Sequence, residues 1–65
     1  MVDEYTVDKM ARKIRSIKKA AIELRELSGG IEAVDRNVDR ILASVRMLEI
    51  NISDVAGIIL KDRVR

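Results

Sequence analysis

Between Ile31 and Ile59 the sequence sets an apolar residue at every third or fourth position, and no other feature constrains the fold as tightly. Ile31, Val34, Val38, Ile41, Val45, Leu48, Ile52, Val55 and Ile59 alternate steps of three and four without a miss. That is the heptad spacing of an α-helix that lays one apolar seam against another helix. With Ile31 taken as heptad position a, the a residues are Ile31, Val38, Val45, Ile52 and Ile59, all β-branched, and the d residues are Val34, Ile41, Leu48 and Val55.

A second seam lies upstream, where Val7, Met10, Ile14, Ile17, Ala21 and Leu24 keep the same alternation. Joining the two as one helix needs successive steps of three, from Ala21 to Leu24 and on to Leu27, a stammer that overwinds a coiled coil. Ser28-Gly29-Gly30 lies at the junction. Adjacent glycines inside a helix cost roughly 1 kcal/mol each, whereas a glycine just past a helix end adopts the left-handed geometry that caps it. Glu32 and Asp35 then suit the positive end of a new helix. The expectation is an all-α, antiparallel two-helix hairpin: a helix from about 6 to 27, a turn at Ser28–Gly30, and a helix from about 31 to 61. Thr6 is the expected N-cap, with Asp3 able to start the helix a turn earlier. Asp8 with Arg12, Lys19 with Glu23 and Glu32 with Arg36 are helix-supporting i,i+4 pairs. The whole chain reads as one domain over 1–65 without a linker, with frayed termini at about 1–4 and 62–65.

A hairpin of this size needs a staple, because 65 residues enclose a core that supplies only a few kcal/mol of net stability. The sequence has no Cys for disulfides and no His, which removes the usual metal sets. Oligomerisation remains. The first helix, about 33 Å long, covers the second, about 45 Å, only to the neighbourhood of Ile52. Val55, Ile58, Ile59 and Leu60 are left over, with Val2 and Tyr5 placed to cover part of them. Met47 and Ile50 lie off the seam, at c and f, so one partner helix cannot bury both sides of this segment. These six residues, Met47, Ile50, Val55, Ile58, Ile59 and Leu60, form the expected oligomer interface, and the simplest assembly is a homodimer closing a four-helix bundle. The remaining seam residues, Val7 to Leu24 and Ile31 to Ile52, are expected to meet within the chain. Asn37, Ser44 and Asn51 repeat at position g as a polar stripe beside the seam, suited to fixing register.

Chemistry is scarce. Without His, Cys or a phosphate-binding Gly loop no catalytic constellation is visible, and neither an enzyme activity nor a cofactor is expected. Asp35 and Asp39 are spaced as helix-borne metal carboxylates, but the Glu-x-x-His partners of such sites are missing. Asn51-Ile52-Ser53 matches a glycosylation sequon and falls inside a helix. The most suggestive charged feature is Lys9, Arg12, Lys13, Arg15, Lys18 and Lys19, a run with no acid from Lys9 to Ala21. It is the candidate nucleic-acid face, although its bases spread around the exposed arc and no aromatic is at hand to stack on a base. Residues 31–65 balance six acids against six bases, so the net charge of +2 resides in the first half. Acids at Asp3 and Glu4 stand where a signal peptide carries bases, and no apolar run approaches a membrane span. A cytoplasmic location is expected. No stretch identifies a known family. The function expected from the sequence is helix-mediated protein–protein association, through self-assembly or as an adaptor or regulator for a larger partner, and the rival is a dimeric RNA- or DNA-binding hairpin.

Overall fold

The computed structural model describes the backbone of residues 3–64 and the side chains of residues 3–57. Two helices, α1 (Glu4–Ser28) and α2 (Glu32–Val64), pack antiparallel in a rod of 51 × 17 × 15 Å. Among the described residues there is no strand, and no helix is long and apolar enough to cross a membrane.

Helix α1 starts a turn earlier than Thr6 would have set it. Asp3 is extended and caps the helix, its carboxylate accepting from the Thr6 backbone N–H at 2.8 Å, while its own carbonyl accepts from Val7 N–H. An ionised carboxylate is a stronger acceptor than a threonine hydroxyl, so Thr6 becomes the third helical residue and supplies the capped N–H. That hydrogen bond, first among its causes, holds the Asp3 carboxyl below its ordinary value. Asp3 therefore caps α1 and Glu4 opens it, and 62–64 continue α2; residues 1, 2 and 65 lie outside the description.

The turn is tighter than the expected Ser28–Gly30. Ser28 remains helical, Gly29 is left-handed at φ 61° and Gly30 follows at φ 94°. Ser28 is buried and ties the turn together: its hydroxyl donates to Asp35 Oδ1 at 2.8 Å and accepts from Ile31 N–H at 3.1 Å. Ile31 in turn accepts from Asp35 N–H and opens α2. Asp35 thus fastens the two helices together, beyond the dipole role its position suggested. Asp8–Arg12 and Glu32–Arg36 form their pairs at 3.5 and 3.3 Å on the exposed surface, where each contributes a few tenths of a kcal/mol.

The contact between the helices runs along the a column. Val7, Ile14, Ala21 and Ser28, each seven residues apart, are buried on α1, and Val38 and Val45 are 0% and 2% exposed on α2. The d column is not part of this contact in the way the seam implied. Ile17 and Leu24 stay 45% exposed, Ile41 39% and Leu48 41%, while Met10, Val34 and Val55 are half-buried. Position e takes the vacant flank on α2, where Asp35, Leu42, Glu49 and Ala56 are half-buried. One neighbour covers one line on a helix, and an a/d stripe belongs to a helix with more than one neighbour. Ile31, expected in the seam, lies exposed in the turn.

The expected overhang of the second helix also shrinks. Because α1 begins at Glu4 and Val7 is buried, cover of α2 continues beyond Ile52, and Val55 and Ala56 are half-buried rather than bare. Tyr5 is exposed and carries the Lys9 ammonium 5.0 Å from the centre of its ring, while the side chains of Ile58, Ile59 and Leu60 lie outside the described residues.

Three substitutions check these backbone assignments. Gly57 lies in α2 with open space around it, so Gly57→Ala should stabilise by about 0.5–1 kcal/mol in chemical denaturation, whereas Gly29→Ala should destabilise by roughly 1 kcal/mol because of its positive φ. Asp3→Ala should lower the thermal midpoint at neutral pH. A folded-state pKa below the ordinary 3.8 means the cap acts in full above that value and is lost as pH falls through the depressed one. The midpoints of the two proteins should therefore converge in acid, and a gap independent of pH would exclude the carboxylate as the cap.

Candidate interaction surface

Successive residues turn by about 100° around a helix, so the two flanks of an a column carry different positions: e and b on one side, d and g on the other. In an antiparallel pair the like flanks of both helices fall on the same side. The side chains that bridge the helices identify which side is which. Lys18 Nζ lies 3.5 Å from Glu49 Oε2, both at e, and Arg25 at e pairs with Asp39 at b. A shallow groove on the same side is lined by Ala11 and Arg15 of α1 and Glu49 and Ser53 of α2, again e and b, with Ile14 and Ile52 at its floor. This flank is closed by charge.

The opposite flank is therefore the d/g side of both helices. It brings Met10, Ile17 and Leu24 beside Val34, Ile41, Leu48 and Val55, with Thr6, Lys13, Ala20 and Leu27 bordering it on α1 and Asn37, Ser44 and Asn51 on α2. Leu27 is 84% exposed. No bridging ion pair crosses this side among the described residues. The d residues form an apolar strip along the rod, bordered by mostly polar g positions, and their alignment sets them apart from the scattered surface leucines common to soluble proteins.

The residues expected from the sequence at an oligomer interface fall into three groups. Met47 and Ile50 are exposed at c and f on the back of α2, away from α1, as a separate small patch; Val55 belongs to the d side, and the side chains of Ile58, Ile59 and Leu60 lie outside the described residues. What the sequence reading missed is the rotation of the hairpin contact from a/d toward a/e. Its signal was present in the opposite charges at e: Lys18 and Arg25 on α1, Asp35 and Glu49 on α2.

The basic run does not gather into one site. Lys9, Arg12 and Lys13 border a shallow groove with Ser16 on the outer side of α1, whereas Arg15, Lys18 and Lys19 border another together with Glu23 and Glu26. Lys9 covers Tyr5, Arg12 pairs with Asp8 and Lys18 with Glu49. The two aspartates with metal-like spacing are also engaged, Asp35 by Ser28 and Asp39 by Arg25, and no group of three or more ligating side chains occurs among the described residues.

No protein-family model matches the chain, and neither a curated protein nor a solved structure matches it.

Proposed function

We propose that the protein works without catalysis, by helix-mediated association, and that its first partner is a second copy of itself, the two hairpins closing a four-helix bundle over the d/g side. One observation carries this reading. The d residues of both helices keep strict heptad spacing yet stand half-exposed on one side of the hairpin. Burying them against a second pair of helices makes a and d together the core, the arrangement found in four-helix bundles. The same strip serves equally to seat an amphipathic helix of a larger partner, which makes an adaptor or regulatory role an extension of the proposal. A cytoplasmic setting belongs to it as well.

Nucleic-acid binding through Lys9, Arg12, Lys13, Arg15, Lys18 and Lys19 is the rival. Its support is the acid-free run itself, and against it stand the split of these cations between two grooves and their engagement by Tyr5, Asp8 and Glu49. A fluorescence titration against mixed RNA and DNA at low salt separates the readings: the proposal expects no binding at tens of micromolar, and tight binding that weakens steeply with added salt favours the rival.

Light scattering tests the association. The native chain should scatter as twice its 7.4 kDa mass at micromolar concentration. Leu48 is 41% exposed in the hairpin, so Leu48→Ala removes roughly 1 kcal/mol of interface burial at each of two symmetric sites, which raises the dissociation constant by roughly one power of ten. Val38→Ala, by contrast, should cost on the order of 2 kcal/mol of fold stability as a cavity inside the hairpin. Ile50→Asp distinguishes the two patches. It should leave the mass unchanged, and a loss of mass there with none for Leu48→Ala would move the interface to the back of α2.

A further inference from the structure

We propose that the second copy docks across a two-fold axis that passes the hairpin at the level of Ala20 and Ser44, so that α2 lies antiparallel on α2 and α1 on α1, with the two glycine turns at opposite ends of the bundle. The inference rests on the self-association proposed above and adds its geometry.

A two-fold interface is self-complementary, so a surface that builds one must read alike in both directions from the axis. The exposed flank of α2 does. Its d column runs Val34, Ile41, Leu48, Val55 and its g column Asn37, Ser44, Asn51. An axis between Ile41 and Leu48 sets Ile41 against Leu48 of the other copy and Val34 against Val55. The same axis sets Asn37 against Asn51, two amides that each donate and accept, and brings the small Ser44 side chains together at the centre. Among the described positions, sliding the register by one heptad leaves one valine and one asparagine of each copy without a like counterpart.

Helix α1 agrees without having been used. The pairs Lys18–Glu49 and Arg25–Asp39 bracket the height of Ser44 and place it level with Ala20 to Ile22. At that height the g residue of α1 is Ala20, the smallest in the column, between Ile17 and Leu24. The axis found on α2 sets Ile17 against Leu24 of the other copy and brings α1 close to α1 at Ala20. Leu27 then lies along the apolar stem of Lys13. Charge fits too. The basic stretch from Lys9 to Lys19 falls beside the segment of the other α1 that holds Glu23 and Glu26, whereas a parallel pair of first helices would set like charges together. With the turns at the same end, α1 would face α2 of the other copy, and the exposed Leu27 would meet the amide of Asn37.

Single cysteines report the geometry cleanly because the chain has none of its own. Under mild oxidation Ser44→Cys should form a covalent dimer rapidly, since its thiols meet on the axis. Asn37→Cys and Asn51→Cys should each stay reduced alone and cross-link when mixed, and Ser53→Cys, on the charge-closed flank, should stay reduced. Circular dichroism checks that each variant keeps its helices. If the native chain scatters as a dimer while Ser44→Cys stays reduced, or cross-links no faster than Ser53→Cys, the axis is wrong and association stands. If the native chain scatters as a monomer, both proposals fall.

Discussion

Everything distinctive about this hairpin follows from the single line along which its helices touch. Val7, Ile14, Ala21 and Ser28 on one side and Val38 and Val45 on the other are spaced by sevens, so the contact is straight, long and narrow. A narrow contact buries little. With no disulfide and no described metal cluster to add to it, the fold stands near the lower limit of what a single core supports. The same line leaves two unequal flanks, one bridged by Lys18–Glu49 and Arg25–Asp39, the other apolar and open.

Much of this was legible in the sequence. Strict three-four spacing gave both helices, and the paired glycines gave the turn, because few other residues take φ values of 61° and 94° without strain. The start of α1 was less legible: Asp3 and Thr6 are both good caps, and which one acts depends on whether Thr6 N–H or a later amide is the one satisfied. The division of the seam was not legible at all. Periodicity says which residues share a stripe, and it does not say which edge of the stripe faces the neighbour. Here the contact leans toward e, where Lys18 meets Glu49 and Asp35 accepts from Ser28, and it leaves Ile17, Leu24, Ile41 and Leu48 partly exposed. For that reason an open surface lies along the d column, while the far end of α2, to which helix lengths pointed, lies outside the described side chains.

Ser28 and Asp35 show how a local choice serves the larger design. Their hydrogen bond closes the turn from inside, fixing the height of α2 against α1. That height is what brings Ala20 and Ser44 level, and so a turn at one end of the rod sets whether small residues meet at its middle. The arrangement is economical in polar groups: among the described residues no buried side-chain nitrogen or oxygen lacks a partner. Asn37, Ser44 and Asn51 remain as a polar column in an otherwise apolar strip, the composition by which helical assemblies specify register at some expense of stability.

The central claim is that the hairpin's stability is shared with a second chain, and the dependence of thermal unfolding on protein concentration tests it most directly. A folded dimer in equilibrium with unfolded chains gains stability by mass action, so its midpoint should climb by several degrees between about 1 and 100 μM. A midpoint that stays fixed across that range, with full helix content at the lowest concentration, would mean that the single hairpin holds itself together and would contradict the account.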